Sequence, residues 1–226
     1  NNISSMSGTN IDNSQNIWNL TVNNLRITVI MPSISQCGFN ITIRKFCQSS
    51  MEVLLKKNMM TKEIFDFLVS IVASGKNIVI SGDINTGKSS LLEGLIFSCL
   101  LNKGVALFEE FQAISVCGNF LMKFVTGRTS DDYHLLTSDV LKMMPEYIIV
   151  DFNSAVPELS EVSGGIFTLR AASVESALSK LMSGFIAYEH LPDKAAKMRV
   201  YTNYDYIVQI NTCKDGVKRV TSIVEL

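Results

Sequence analysis

An α/β fold, with a mostly parallel sheet and a small β-rich domain ahead of it, is what this sequence predicts. Three observations carry that expectation. The pattern G-x-x-x-x-G-K-[ST], from Gly82 to Ser89, sits between a β-rich apolar run and a helical one. Two further apolar runs, 104–110 and 147–151, end in acids. The chain closes on two alternating runs, 206–210 and 220–224, around Asp215-Gly216, which reads as a hairpin.

Taken in order, residues 1–18 are rich in Asn and Ser and poor in large apolar side chains, so a loose lead is expected. From Leu20 to Phe46 the pattern turns β-like. Residues 25–30 alternate, residues 40–46 alternate again, and Gly38 between them signals a turn. Thr61 starts a helix as its N-cap, with Glu63 in the first turn and Gly75 near the stop. A strand over 77–81 leads into the glycine loop, and a helix runs from about Lys88 to Leu101. Then come a strand over 104–110, a helix at about 138–144 before Pro145, and a strand over 147–151. A strand at 166–170, a helix over 174–185 and the hairpin complete the chain. Strands alternating with helices and closed by an antiparallel pair make a RecA-like sheet, whose ligands gather at the carboxyl ends of the strands.

The bulk numbers narrow the classes. Of the 226 residues 47% are hydrophobic and 18% charged, enough for a buried core and too apolar for a disordered chain. A mean hydropathy of +0.24 is high and hints at apolar surface buried in an assembly. A net charge of −1 argues against nucleic-acid binding through a basic face, so no nucleic acid is expected as a partner. No apolar run is long enough to span a bilayer, and no signal peptide opens the chain. The nearest candidate, 91–101, is too short and reads as a buried helix. The five cysteines (Cys37, Cys47, Cys99, Cys117, Cys213) contain no C-x-x-C pair and read as free thiols in a reducing cytoplasm. His134 and His190 lie far apart without ligand-like spacing.

The loop itself implies phosphate chemistry. Gly82, Asp83, Ile84, Asn85, Thr86, Gly87, Lys88, Ser89 and Ser90 are the candidate nucleotide-binding residues. The two glycines let backbone N–H groups point inward, Lys88 brings a positive charge to the β- and γ-phosphates, and the Ser89 hydroxyl is placed to ligate Mg2+. The following helix aims its N-terminal dipole at the same phosphates. Hydrolysis further needs a held Mg2+, an oriented water and positive charge at the transition state. Asp151, at the tip of an apolar strand, has the form of a Walker B acid that would share the Mg2+ with Ser89; a loop or capping acid is the other reading. Glu109 and Glu110 could approach the metal or polarise water, or form a solvated strand end. Positive charge could come from Arg44 and Lys45, from Arg128, or from Arg170, against the plainer reading of surface pairs. Phe152, next to Asp151, cannot orient water.

With these residues laid out, the chain resembles the traffic ATPases of bacterial secretion and pilus assembly, and within them the CpaF-type motors of Tad pili. The stretches that carry the resemblance are Ile41-Thr-Ile-Arg-Lys-Phe, Lys76 through Leu92, Leu141-Lys-Met-Met-Pro-Glu-Tyr-Ile-Ile-Val, and Thr168-Leu-Arg-Ala-Ala-Ser-Val-Glu-Ser-Ala-Leu-Ser-Lys-Leu. The last strands fit as well, so the resemblance covers about residues 24–226. It implies ATP and Mg2+, a homo-oligomer in the form of a hexameric ring, an inner-membrane platform protein as partner, and a cytoplasmic location at the inner face of the membrane. It also implies residues 19–57 as a truncated N-terminal domain with its linker, and 58–226 as the RecA-like ATP-binding domain. Arg44 falls where the family has an Arg near the nucleotide, and Glu109-Glu110 where it has Glu-Asp. Two departures stand out. The family ends Walker B in Gly-Glu where this chain has Asp151-Phe152, so the catalytic Glu is missing unless Asp151 substitutes from one position earlier, and its His-box has His and Asn where this chain has Arg170 and Ala172. The connection between those motifs is several residues shorter. Nucleotide binding with slow or lost hydrolysis is the expectation, either in a motor subunit or in a non-hydrolysing scaffold or regulatory paralogue. A P-loop kinase or GTPase is disfavoured, since no Asn-Lys-x-Asp is present.

Overall fold

The computed structural model describes residues 16–22, 25–36, 38–45, 49–110, 114, 116, 118, 120–125, 131–155 and 162–226, the side chains of 19, 21, 26 and 131–135 excepted. Arg128, Cys37, Cys47, Cys117, the side chain of His134 and residues 1–15 of the expected lead lie outside them. The chain divides into two compact units: residues 1–48 with 111–115, and residues 49–110 with 116–226.

The first unit holds an antiparallel sheet in the order β1-β2-β3, from β1 (Ile17–Val22), β2 (Leu25–Ile30) and β3 (Asn40–Lys45). Register places Leu20 opposite Ile27 and Trp18 opposite Val29, so alternate residues share one apolar face. Leu20, Val22, Ile27, Val29 and Met31 are its buried core. Gly38 takes φ +91° in the expected turn, a conformation glycine adopts without steric cost. All six residues of β3 are exposed.

The second unit is a seven-stranded sheet in the order β10-β9-β4-β8-β7-β5-β6. The strands are β4 (Ile78–Gly82), β5 (Val105–Glu109), β6 (Leu121–Val125), β7 (Tyr147–Asp151), β8 (Gly165–Arg170), β9 (Tyr206–Thr212) and β10 (Lys218–Glu225). Among the described strands of this sheet only the β9–β10 pair is antiparallel, so it is the mixed α/β, mostly parallel sheet that the sequence predicts. Continuous apolar runs suit strands covered on both faces, and β4, β5 and β7 are buried along their whole length.

Among the described residues the helices of this unit are α1 (Met51–Lys56), α2 (Lys62–Ala73), α3 (Lys88–Leu95), α4 (Asp131–Lys142), α5 (Val174–Glu189) and α6 (Asp193–Asn203). The Thr61 hydroxyl caps α2 by accepting the Ile64 amide at 3.5 Å, and Phe65, Leu68, Ile71 and Val72 form its buried stripe. None of the helices among the described residues is long and apolar enough to cross a membrane.

Several expected boundaries move. The α-helix after the glycine loop stops at Leu95 and continues as a π-helical turn, Ile96–Leu100. There Ser98 Oγ donates to Gly94 O at 2.8 Å and Cys99 Sγ to Leu95 O at 3.1 Å, side-chain bonds that compete with the helical ladder. The helix expected at about 138–144 spans Asp131–Lys142, and Met144 in a left-handed conformation (φ +49°) ends the turn before Pro145. The helix expected to stop at 185 runs to Glu189, closed by exposed His190 at φ +55°. The closing hairpin forms as expected, with Gly216 at φ +78° donating to Cys213 O at 2.9 Å.

A buried asparagine ties the amino ends of the central strands. Asn77 Oδ1 accepts the Gly165 amide at 2.7 Å, while Nδ2 donates to Val162 O at 2.6 Å and Asn203 O at 2.8 Å. Replacing Asn77 by Ala strands these groups away from water, each at roughly 1–3 kcal/mol. We expect a drop in stability of about 3 kcal/mol, read as a lower urea midpoint at unchanged slope.

Candidate functional site

The carboxyl ends of the parallel strands bring the sequence-predicted residues of the second unit to one place. In register, Gly82 lies beside Arg170 on β8 and Ile210 on β9, and Glu109 beside Asp151 on β7.

The loop between β4 and α3 is shaped by two glycines. A Cβ on Gly82 would stand 2.4 Å from Thr86 Oγ1 and 2.6 Å from Ile210 O, so the chain can turn here only without a side chain. Gly87 takes φ +100°, and Asn85 adopts φ +60°, where Asn is tolerated. Thr86 is buried and its hydroxyl donates to Asp83 O at 2.9 Å, folding the loop back on itself. Ile84 stays exposed. No side chain caps the amino end of α3, which leaves its dipole and first-turn amides open to an anion.

Lys88 is 6% exposed, and its Nζ donates to Gly82 O at 3.0 Å and Asp83 O at 2.9 Å. Burial pushes its pKa down, opposed by the nearby Asp151 and Asp83 carboxylates. A buried ammonium held by two carbonyls has no anion in direct contact, and a phosphate would supply one.

Asp151 is the hub. It is buried, its Oδ2 accepts the Ser89 hydroxyl at 2.8 Å, and its Oδ1 accepts the Thr168 hydroxyl at 2.7 Å. Thr168 Oγ1 also accepts the Asn153 amide at 3.1 Å. A hydroxyl on the first turn of α3 and a carboxylate on β7 thus meet. This donor set fits Mg2+, which takes one or two protein oxygens and fills its octahedron with phosphate and water. Among the described residues no cluster of three His, Cys, Asp or Glu stands ready for a dedicated metal site.

The other candidates fall out differently. Glu109 is fully buried at the end of β5, and Glu110 beside it is exposed. Ser90, on α3, is half-buried. Phe152 is buried in the core cluster with Phe167 and Leu169, so no polar group follows Asp151 into the site. Arg170 sits at the loop mouth, its Nε donating to Asp83 Oδ1 at 3.1 Å. Asp83 is held below its ordinary carboxylate value by the Ile84 amide and by Arg170. Arg44 and Lys45 belong to the first unit, both exposed on β3.

Two participants went unrecognised in the sequence. Thr168 holds Asp151, and buried Gln209 bonds Ser81 while its Nε2 donates to Ala171 O at 3.2 Å. Both are polar residues inside apolar strands, Ile166-Phe-Thr-Leu and Ile207-Val-Gln-Ile, and that break in pattern is a signal.

No known family profile matches the sequence, and no curated protein matches it. Solved structures do match. The VirB11 ATPase from the Brucella suis type IV secretion system, in complex with sulphate, aligns with a TM-score of 0.63 at 15% identity, covering 99% of this chain and 80% of its own. The pilus retraction motor PilT with bound ADP aligns at 0.63 and 10%, covering 92% and 63%. The ATPase DotB of Legionella pneumophila aligns at 0.63 and 16%, covering 86% and 56%. The fold is that of the secretion and pilus ATPases. At such identities the likeness is one of fold, and this chain spans less than two thirds of the PilT and DotB chains. The seven-stranded, mostly parallel sheet matches that fold, and the small antiparallel sheet fits its N-terminal domain.

Replacing Thr168 by Val removes a donor to Asp151 and the acceptor of the Asn153 amide. A loss of about 2 kcal/mol is expected from these buried groups. Ser89→Ala, at a half-buried position, should cost less than about 1 kcal/mol. Chemical denaturation of the two variants checks the order.

Proposed function

We propose that this chain binds ATP with Mg2+ as the nucleotide-binding subunit of a bacterial secretion or pilus-assembly motor, and that it hydrolyses ATP slowly or not at all. The observation that carries the reading is the contact of Ser89 with Asp151, beside the buried Lys88 and in front of an uncapped helix end. The loop amides and the α3 dipole bind and orient the phosphates, and Lys88 moves from loop carbonyls to the β- and γ-oxygens. Ser89 and Asp151 would hold the cation, and Thr168 fixes the Asp151 carboxylate. Mg2+ bound there would supply positive charge to the phosphates. Glu109 and Glu110 are the remaining acids for polarising water, and Arg170 the nearest cation for transition-state charge. Arg44, from the first unit, is in this reading an arginine finger for a neighbour's γ-phosphate.

Slow turnover follows from Phe152, which stands in the core where a water-orienting carboxylate would be needed, and from Arg170 in place of a histidine. Loss of such a group typically lowers rate by orders of magnitude and leaves binding intact. The same residues favour a second reading, a non-hydrolysing scaffold or regulatory paralogue of an active motor. Support for the cellular setting comes from the neighbours: VirB11 belongs to a type IV secretion system and PilT is a pilus retraction motor. By that analogy the chain acts as a homo-oligomer, a hexameric ring against an inner-membrane platform protein, at the cytoplasmic face of the membrane, without nucleic acid. In this proposal residues 1–18 are a lead, whose last two residues, Ile17 and Trp18, already belong to β1, 19–57 the N-terminal domain and linker, and 58–226 the ATP-binding domain.

Calorimetry with Mg2+ and ATP should register binding that Lys88→Ala abolishes, and a phosphate-release assay should stay far below about 1 per second, an ordinary enzyme turnover. No heat on titration would remove the nucleotide reading. Turnover near that rate would remove the claim of slow hydrolysis. A motor loses all function with Lys88→Ala, whereas a scaffold loses only assembly or affinity.

A further inference from the structure

The loop mouth carries one ion pair that nucleotide binding must disturb. Arg170 ends β8 in register with Gly82, and its guanidinium reaches across to Asp83, the first residue of the loop after that glycine. The two side chains are 54% and 62% exposed, and the bond uses Nε of Arg170. Such solvent-facing pairs contribute little. The main chain of Arg170 is fixed: the carbonyl accepts Lys180 Nζ at 2.6 Å, and the amide of the next residue, Ala171, donates to Gly82 O at 3.2 Å. The strand end is therefore anchored to the loop while the side chain is only weakly held.

We propose that the Asp83 carboxylate and the γ-phosphate of a bound nucleotide are alternative partners for the Arg170 guanidinium, so that this pair sets the preference for a nucleoside triphosphate over a diphosphate. The inference rests on the nucleotide reading above. Asp83 holds the fork at the mouth in the absence of a γ-phosphate. A triphosphate offers a terminal group of higher charge with three acceptor oxygens, for which the planar fork of Arg is suited to bidentate bonds. A diphosphate ends before that position and leaves the Asp83 pair in place. A ligand can bias two arrangements only through differential contacts, and the γ-phosphate is the differential contact here. Asp83 is then a positioning residue and Arg170 the specificity-determining one.

The test is titration calorimetry of the full chain in Mg2+ with ADP and with the β,γ-imido analogue of ATP. The variants are Arg170→Gln, Asp83→Asn and the double variant; Asn keeps the Oδ1 that accepts the Ile84 amide at 2.8 Å. Arg170→Gln should lower affinity for the triphosphate analogue about tenfold more than affinity for ADP, the effect of one charge-assisted hydrogen bond. Asp83→Asn should raise the triphosphate-to-diphosphate ratio, and that rise should vanish in the double variant, since the two act as a unit. Arg170→Lys, which keeps the charge and drops the fork, should lose part of the ratio and covers a glutamine variant that fails to fold. Equal loss of both nucleotides in Arg170→Gln, or a ratio unmoved by it, overturns the exchange. A rise from Asp83→Asn that persists without Arg170 also overturns it. In each of those cases retained ADP binding leaves the nucleotide reading standing, whereas a wild-type chain that binds neither nucleotide removes both.

Discussion

Everything at the candidate site depends on the close approach of three main chains at Gly82. The Gly82 carbonyl accepts both Lys88 Nζ and the Ala171 amide, and its Cα faces Thr86 and the Ile210 carbonyl with no room for a methyl group. That crowding lets the loop leave the centre of the sheet, with β8 and β9 on either side of β4. Because the neighbours are rigid strands, the loop inherits their order. Its amides are positioned by backbone, at no side-chain entropy cost.

The side chains added to that frame sort by burial. Lys88, Asp151 and Thr168 lie under the loop, where a low local dielectric strengthens each bond and makes an unpaired group costly. Asp83 and Arg170 lie at the rim, where water screens them. A buried set with fixed partners suits holding a cation and phosphates in one geometry. A screened pair suits exchange, because little is lost when it opens.

Much of this was legible in the sequence, and the reasons differ by element. The turn between β4 and α3 could be read because each of its requirements is local: glycine where no Cβ fits, lysine and serine at the helix start. The buried strands β4, β5 and β7 could be read because unbroken apolar runs have few other uses. β6, α1 and α6 went unread. β6 is a five-residue edge strand with no buried side chain, and α6 buries only Ala196, Val200 and Asn203, too few to impose a helical period. The hub itself was half legible. The acid at the strand tip pointed to Asp151, but its partner Thr168 lies seventeen residues on and meets it only through strand pairing. Arg44 shows the limit of such reading, since the local pattern placed it on a strand yet gave no partner for its charge.

The two departures that set the expectation of slow hydrolysis stand on different physical footing. Arg170 is a solvent-facing side chain on an anchored main chain, so its replacement changes chemistry with little effect on packing. Phe152 is part of the core with Phe167, Leu169 and Ala171, beneath the same strand ends that carry Asp151 and Arg170. A carboxylate put there would be a buried charge, with a desolvation cost of several kcal/mol. Restoring a water-orienting glutamate at this position would therefore work against the sheet that positions the loop. In the proposed reading, the binding half of the machinery is written into the backbone, while the residue that follows Asp151 has been turned over to the core. On that reading, binding and turnover are separable for a structural reason: binding would depend on the crowded main chains at Gly82, and turnover on a side chain committed to the apolar interior.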